Sequence, residues 1–429
     1  MAKPFQIKPP PWMTAPATRQ VMAAITSDGG EARFIGGCVR DLLLDIAVKD
    51  IDIATHEAPE RVMELLAQAG IKAIPTGIEH GTVTAVVDDE HFEITTLRLD
   101  VETFGRRADV AFTDDWMADA ARRDLTINAL SLDLEGNVHD PFGGLEDLRA
   151  GRIRFVGRAE TRITEDVLRL LRFFRFFAYY GKPPADAEAL AAAAKLAHLL
   201  PSLSGERVWG ELMGLLLAPD VAAAFRLMGD HGVLAHILPF DLDFRLLQAL
   251  AEVEAEVEAA AGIAGAARDP LRRLAALARL DRRQAEALSQ RLRLSRRQRM
   301  RLIDMATQQG EVPPGAGPKE AHRAIYRLGA ALFTDLVFLD WAKDRAENPD
   351  TPRDADHSTL LELAKAWPKP ELPIKGEDAL ELGLVPGPPV GAALARVEAW
   401  WIDEDFAPDR AACRQRLAAE IKEGGNGGE

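Results

Sequence analysis

Up to about residue 157, apolar residues recur in short runs typical of strands, separated by amphipathic stretches typical of helices. Four runs rich in apolar and β-branched residues predict strands: 32–35, 51–54, 82–87 and 92–97. Four polar residues, 88–91, separate the last two runs and predict a hairpin. Residues 39–44 and 59–69 have helical periodicity. The pattern indicates an α+β amino-terminal domain with a small mixed sheet.

From about residue 161 onward the periodicity is helical and strand patterns disappear, because alanine, leucine, arginine and glutamate dominate. Glycine- and proline-containing breaks interrupt this half and indicate joints between all-α segments. We therefore expect four segments: 1–158 (α+β), 159–230, 231–312 and 313–429 (all-α). The length of 429 residues, with 47% hydrophobic content, suits two to four globular domains.

Two cysteines, Cys38 and Cys413, exclude a disulfide framework and a thiolate metal cage. No uninterrupted apolar run reaches the ~18 residues of a membrane span. Residues 1–12 are proline-rich and lack the apolar core of a signal peptide. These features favour a cytoplasmic protein.

A net charge of −15 argues against a nucleic-acid partner when it is taken alone. The arginines, however, are concentrated: eleven lie between residues 271 and 302 with two acids, and seven lie between 152 and 175. Such segments can hold a phosphate backbone locally. The alternative is that they form solvated helix faces.

Asp50 and Asp52 are two residues apart on a predicted strand, so both side chains point to one face. Adjacent carboxylates repel each other unless a cation lies between them, and a hard divalent ion such as Mg²⁺ prefers such oxygen ligands. Glu93, flanked by apolar residues on another strand, is a candidate third acid. The alternatives are a solvated acidic edge strand and a salt bridge from Glu93 to Arg98 or Arg123.

Gly36 and Gly37 follow a predicted strand and open a predicted helix. Adjacent glycines let the backbone approach a polyphosphate, and Arg40 on the first turn adds positive charge. Ordinary turn chemistry would also explain two glycines here.

Together these segments resemble the nucleotidyltransferase domain of the polymerase β superfamily. Three further motifs narrow the resemblance to class II CCA-adding tRNA nucleotidyltransferases and their bacterial poly(A) polymerase relatives: 122–130 (RRDLTINAL), 140–148 (DPFGGLEDL) and 165–172 (EDVLRLLR). All the motifs fit the family in order and spacing over about the first 180 residues.

The resemblance implies a seahorse-like arrangement: a catalytic head (1–158), a neck that recognises nucleotide bases (159–230), a body (231–312) and a tail that binds tRNA (313–429). It implies attack by the tRNA 3′-hydroxyl on CTP or ATP, with two Mg²⁺ ions held by Asp50 and Asp52 and with Glu93 assisting.

Asp166 and Arg169, three residues apart on a helix predicted to begin at Glu165, would share one helical face. A carboxylate only accepts hydrogen bonds and a guanidinium only donates them, so the pair complements cytosine and adenine and refuses guanine and uracil. Arg172 and Arg175 would support them from the following turns. A routine ion pair is the alternative.

Arg122 and Arg123 offer cations for a triphosphate, and Asp124 offers a carboxylate for a ribose hydroxyl. Asn128, one helical turn further, would assist at the phosphate. Ion pairing on a helix surface is the alternative, most of all for Arg122.

Residues 103–110 correspond to a flexible loop that the family uses when it switches from C to A addition, and Phe104 replaces the usual aspartate. Three alternative functions stay open: a poly(A) polymerase, an enzyme that adds only CC or only A, and a catalytically silent RNA-binding protein. The acidic carboxyl terminus disfavours the first, and the intact Asp50 and Asp52 disfavour the last.

Overall fold

A computed structural model describes residues 5–104, 107–261, 267–312, 315–350 and 353–425. The chain divides into two compact units, Met1–Pro239 and Phe240–Glu429. The first unit contains the sheet and the helices that directly follow it in sequence. The second unit consists of helices.

A mixed sheet forms the centre of the first unit. Its described strands are β1 (Phe5–Gln6), β2 (Ala32–Ile35), β3 (Ile51–Thr55), β4 (Lys72–Gly77), β5 (Thr82–Val87), β6 (Glu90–Thr96), β9 (Ser131–Leu132) and β10 (Asn137–His139). Their order is β1-β10-β9-β2-β3-β6-β5-β4. β3 and β6 run parallel, and the other neighbouring strands are antiparallel. The predicted mixed sheet and the β5–β6 hairpin are confirmed.

The segment that corresponds to the family's flexible loop lies in a separate antiparallel hairpin, whose strands the sequence did not predict; its flexibility stays a prediction. Its strands are β7 (Arg98–Phe104) and β8 (Arg107–Phe112). Gly105 and its charged neighbours suggested a loop, yet the residues on either side pair from Arg98↔Phe112 to Phe104↔Arg107. Backbone pairing stabilises both arms irrespective of their charge. Residues 105 and 106, and the side chain of Phe104, lie outside the described part.

Eleven α-helices are described in the first unit: α1 (Pro11–Thr14), α2 (Pro16–Ile25), α3 (Gly37–Leu43), α4 (Pro59–Gln68), α5 (Trp116–Ala121), α6 (Gly144–Ala150), α7 (Ala159–Glu165), α8 (Leu168–Tyr180), α9 (Ala187–Leu196), α10 (Gly205–Leu216) and α11 (Val221–Asp230). Several begin at residues that favour helix starts. Pro59 occupies the first position of α4, and the carboxylate of Asp115 accepts two backbone N–H groups at the start of α5. Helix α8 buries Phe173 and Phe174 and contacts α10 and α11.

The second unit contains ten described helices: α12 (Phe244–Ala261), α13 (Pro270–Leu277), α14 (Arg282–Arg291), α15 (Arg296–Thr307), α16 (Pro318–Leu328), α17 (Ala330–Glu347), α18 (Asp354–Ala366), α19 (Gly376–Glu381), α20 (Pro388–Asp403) and α21 (Arg410–Gly425). Within the described residues, extended pairing here is limited to one isolated bridge, Leu242↔Ala278. The all-helical prediction is therefore confirmed. No described helix is long and apolar enough to cross a membrane.

Three of the eleven clustered arginines are structural. Arg273 is fully buried, and its Nε lies 2.6 Å from Oε2 of Glu254. The other oxygen of this carboxylate, Oε1, lies 3.0 Å from Nη2 of Arg272. Arg301 and Arg272 share Asp335, at 2.7 and 3.3 Å. These three side chains hold α12, α13, α15 and α17 together, so charge density in the sequence overstated the available basic surface.

Candidate active site

The sheet brings the three predicted acids to one place. In the parallel pairing of β3 and β6, Asp52 lies directly beside Glu93. Asp50 comes one residue before β3 begins, so it lies at the strand start and not within the strand as expected. Within the described residues Glu93 forms no ion pair, and Arg98 and Arg123 therefore do not neutralise it as the alternative required.

The electrostatics at Asp52 are those of a crowded carboxylate. Burial, followed by the charges of Glu93 and Asp50, raises the pKa of Asp52 to about 6, against the opposing charge of Arg123. In the described chain no group of three His, Cys, Asp or Glu side chains is spaced to hold a metal ion by itself. The excess of negative charge and the hard oxygen donors nevertheless fit a divalent cation that takes its other ligands from a substrate.

Gly36, the N-cap residue directly before α3, has a φ of +67° and a ψ of −123°, a conformation that strongly favours glycine. A Cβ at this position would lie 3.6 Å from Nη1 of Arg123 and 3.9 Å from Oδ2 of Asp52. The backbone of the glycine turn, the carboxylate and the guanidinium therefore meet within a few ångströms. Gly37 follows in the helix, and its Cβ would lie 3.8 Å from Nη2 of Arg40.

Arg122 and Arg123 are both anchored by Asp119, a residue that sequence reasoning missed. Asp119 is buried on α5 and lies 2.8 Å from Arg122 and 3.0 Å from Arg123. Burial alone would raise the pKa of Asp119, but the two guanidinium charges outweigh it and hold this pKa below its usual range. The spacing of three and four residues from these arginines was the signal that could have identified it.

Arg40, Asn128 and Asp124 form a buried polar chain. Nη1 of Arg40 donates to Oδ1 of Asn128 at 2.9 Å, and Nδ2 of Asn128 donates to Oδ1 of Asp124 at 3.0 Å. Asn128 belongs to a short 3-10 turn, so its proximity to Asp124 does not depend on an α-helix. The guanidinium of Arg40 also lies 4.5 Å from the ring centre of Tyr180. These groups satisfy one another inside the fold.

Arg172 connects this polar chain to α8. Its Nε lies 2.6 Å from Oδ2 of Asp124. Burial raises the pKa of Asp124, but the charge of Arg172 and the hydrogen bonds from Asn128 and Arg172 outweigh it, so this pKa stays below its ordinary value. Arg172 thus ties the predicted base-recognition helix to the sheet-containing part of the unit.

Asp166 and Arg169 do not share a helical face as predicted. Helix α7 ends at Glu165, and Asp166 has an extended backbone, with φ −147° and ψ 106°, before α8 begins at Leu168. Arg169 donates to Glu165 at 2.6 Å and to the carbonyl of Arg122 at 2.9 Å. Helical periodicity could not reveal the break, because the residues on both sides of it favour helix.

Two residues of α10 complete the arrangement, and sequence reasoning gave neither of them a role. Nη2 of Arg207 lies 2.7 Å from Oδ2 of Asp166. Glu211 is buried and lies 2.6 Å from Nε of Arg175 and 3.7 Å from Nη1 of Arg172. These pairings span 41 and 36 residues of sequence, so they are visible only in the fold.

Comparison with known proteins points to one family. The family described as "Poly A polymerase head domain" matches residues 32–154, and "Probable RNA and SrmB- binding site of polymerase A" matches residues 186–242. The mouse (Mus musculus) protein "CCA tRNA nucleotidyltransferase 1, mitochondrial" is 35% identical over 382 residues, 86% of this chain and 82% of the relative. A "CCA-adding enzyme" of Oceanobacillus iheyensis is 42% identical over 49% of this chain and 52% of its own length.

Among solved structures, the Bacillus stearothermophilus CCA-adding enzyme in complex with CTP aligns with a TM-score of 0.74 and 25% identity. The alignment covers 98% of this chain and 100% of that enzyme. The fold and the similarity to these proteins define a nucleotidyltransferase. The chain belongs to the class II CCA-adding tRNA nucleotidyltransferase family. Enzymes of this family generally use a divalent metal ion.

Proposed function

We propose that this chain builds and repairs the 3′-terminal CCA of tRNA from CTP and ATP, releasing pyrophosphate. The observation that carries the proposal is the juxtaposition of Asp52 and Glu93 in the β3–β6 register, beside Arg123 and the turn at Gly36. The relatives named as CCA enzymes, one of them aligned over 82% of its length, support CCA addition over poly(A) synthesis.

We propose Mg²⁺ as the metal, with Asp50 and Asp52 as its protein ligands and Glu93 as the neighbouring catalytic acid. When bound, two such ions would lower the pKa of the attacking hydroxyl and stabilise charge on the triphosphate. The raised pKa of Asp52 supports this role, because a cation would relieve the repulsion among the three carboxylates.

The remaining groups of the site bind and orient the nucleotide. Arg123, held by Asp119, points its guanidinium toward Asp52 and the Gly36 turn, where a triphosphate would lie. Gly36 and Gly37 leave room for phosphate oxygens close to the backbone. Arg122 and Arg40 contribute positive charge around the site, while Asn128 and Asp124 connect the nucleotide pocket to α8.

Asp166 and Arg169 are proposed to read the base. Oδ1 and Oδ2 of Asp166 each accept one described hydrogen bond, from the Leu168 amide and from Arg207, and each keeps a further lone pair for an amino group of cytosine or adenine. Arg169 lies near the carbonyl of Arg122, on the side facing the triphosphate-binding arginines. Arg172 and Arg175, on the following turns of α8, are held in place by the carboxylates of Asp124 and Glu211.

The RNA partner is proposed to contact the arginine surface, which we define as the exposed arginines of the α14–α15 region: Arg279, Arg282, Arg283, Arg293, Arg296, Arg297 and Arg299. None of the seven forms an ion pair with a described residue. Arginine binds phosphate oxygens in a bidentate manner, so this surface suits an RNA backbone. A solved relative, the Thermotoga maritima enzyme, is described as complexed with tRNA.

A cytoplasmic location is also proposed, on the basis of the two unpaired cysteines. The animal relatives carry mitochondrial names, so fractionation of cells that express the tagged chain is the appropriate test.

The deciding experiment uses tRNA transcripts that end before CCA, after C and after CC, each with CTP alone, ATP alone or both. A CCA-adding enzyme extends the first two by C with CTP, extends the third by a single A with ATP, and completes all three with both. Extension by many A residues would instead indicate a poly(A) polymerase, and a single active nucleotide would indicate a partial enzyme. Asp52→Ala should show no incorporation, and full activity in this variant would refute the site.

A further inference from the structure

Helix α10 presents two oppositely charged side chains to the residues that are proposed to read the base. Arg207 and Glu211 are four residues apart, so they lie on the same face of the helix. Arg207 reaches Asp166 at 2.7 Å, and Glu211 reaches Arg175 at 2.6 Å. One helix therefore contacts the base-reading acid and the supporting arginines at the same time.

The carboxylate of Asp166 has few other restraints. Its backbone is extended between α7 and α8, so no helical turn orients it. The last torsion of an aspartate side chain is broad, and the direction of its lone pairs depends on hydrogen bonds. Two are described: a local one from the Leu168 amide at 3.1 Å and a distant one from Arg207.

Glu211 orients the arginines of α8 in the same way, through ion pairs. It is 8% exposed and lies between Arg172 and Arg175, whose guanidinium groups both approach the ring of Phe176, at 5.2 and 4.6 Å. Two guanidinium groups this close repel each other without a shared acid. Arg172 has Asp124 as a second partner, whereas Glu211 is the described carboxylate partner of Arg175.

We propose that Arg207 is a specificity-determining positioning residue. Arg207 orients the Asp166 carboxylate so that this carboxylate accepts a hydrogen bond from the amino group of cytosine or adenine. Glu211 holds Arg172 and Arg175 in register from the same helix. This inference rests on the proposed function, because it assigns the aiming of a base-reading group in that same site.

The test compares Arg207→Gln and Arg207→Lys with the unaltered enzyme. The values of kcat and KM for CTP and UTP are measured on tRNA lacking CCA, and those for ATP and GTP on tRNA ending in CC. Arg207→Gln should lower the CTP/UTP and ATP/GTP ratios of kcat/KM by about tenfold or more, because a freely rotating carboxylate loses its directional hydrogen bond. Arg207→Lys keeps a charged donor and should restore part of the ratio.

Two controls separate positioning from folding. Lys182→Gln alters an exposed cation of the same unit that forms no ion pair with a described residue, and its ratios should match the unaltered enzyme. Glu211→Gln should raise the KM for CTP and ATP together, several-fold, and leave the ratios near their original values. Thermal unfolding of every variant is recorded alongside.

An Arg207→Gln enzyme that unfolds like the unaltered protein and keeps its nucleotide ratios would overturn the inference. The inference also fails if Arg207→Lys is no better than Arg207→Gln, since a charged donor is the proposed requirement. Failure of the proposed function would give a different result, since the unaltered enzyme itself would not add C or A to tRNA.

Discussion

At the scale of the residue, Asp52 illustrates how position in the fold changes a side chain. An isolated aspartate ionises near 3.8, whereas burial and the charges of Glu93 and Asp50 raise the pKa of Asp52 to about 6. Without a cation, the folded protein therefore binds a proton here more readily than the unfolded chain. Ionisation of Asp52 therefore opposes folding: the penalty is complete above about pH 6, shrinks as the pH falls, and is absent below about 3.8.

Asp52→Asn removes that penalty together with the activity. In metal-free protein at pH 7.5 we expect its free energy of unfolding to exceed that of the unaltered chain by roughly 1 to 3 kcal/mol. The difference should shrink as the pH falls from about 6 toward 3.8 and be absent below that value. Urea denaturation in the presence of EDTA measures it. Asp114→Asn, at an exposed site, should show no such pH-dependent difference. An Asp52→Asn protein less stable at pH 7.5 would contradict the repulsion at this site.

Glu254 is the acid whose removal should damage the second unit most. It is fully buried and accepts from both Arg272 and Arg273. Glu254→Gln removes the negative charge that faces two buried guanidinium groups, so the free energy of unfolding should fall by about 3 kcal/mol or more. Glu252→Gln, exposed on the same helix, is the matched control and should stay within about 0.5 kcal/mol. Equal behaviour of the two variants in denaturation would show that the buried pair contributes little.

At the scale of the element, the junction of β2 and α3 has the tightest conformational requirement of the site. Gly36 there has a positive φ, and a Cβ would make van der Waals contact with Arg123 at 3.6 Å. Gly37 lies within the helix, and a Cβ there would lie 3.8 Å from Arg40. The backbone conformation therefore requires glycine at position 36 but not at position 37.

Gly36→Ala should lower the free energy of unfolding by about 1 to 3 kcal/mol, because an L side chain is strained at this backbone conformation. It should also reduce CTP incorporation, since the added methyl group points toward Asp52 and Arg123. Gly37→Ala is the matched control: a helix favours alanine over glycine, and stability should be unchanged or slightly higher. Chemical denaturation measures the stability of both variants, and a single-turnover assay measures their CTP incorporation. An equal loss of stability in the two variants would contradict the conformational argument.

The break between α7 and α8 is the other decisive feature at this scale. Continuous helical periodicity predicted one helix from Glu165, and local propensity gives no reason to interrupt it. The interruption is compensated by tertiary contacts, since Arg207 pairs with the partly exposed Asp166 carboxylate and Arg169 caps carbonyls from two other segments. Only contacts distant in sequence explain why the chain bends here.

At the scale of the whole molecule, charge is unevenly distributed. The chain has a net charge of −15, yet the arginine surface on α14 and α15 lacks described acidic partners. Arg296, Arg297 and Arg299 lie near the start of a helix, where positive charge opposes the helix dipole and gains nothing for folding. Their position is therefore better explained by a partner than by stability.

Replacing Arg293, Arg296 and Arg297 together with glutamine should weaken tRNA binding and reduce the slope of log affinity against log salt by about 2 to 3. The KM for CTP should not change, because none of the three arginines is among the described contacts of the carboxylate site. Filter binding over a range of potassium chloride concentrations measures the slope. The matched triple lysine variant should retain most of the slope. An unchanged slope in the glutamine variant would contradict the proposal that tRNA binds this surface.

The sequence by itself determined the local elements and the chemical groups. Apolar periodicity identified the central strands and the helical second half, because burial on one face leaves its mark every two or 3.6 residues. Spacing alone placed Asp50 beside Asp52, and ordered motifs indicated the family. These properties depend on neighbours within a few residues, so they can be inferred without coordinates.

The tertiary structure decided which of these groups meet. Glu93 lies beside Asp52 only through the parallel register of β3 and β6, although the two are 41 positions apart. Arg207 and Glu211 became partners of the residues proposed to read the base, and three clustered arginines turned out to form structural ion pairs. Such pairings arise from strand register, helix packing and desolvation. Those factors act between distant parts of the chain and leave no periodic trace in its sequence.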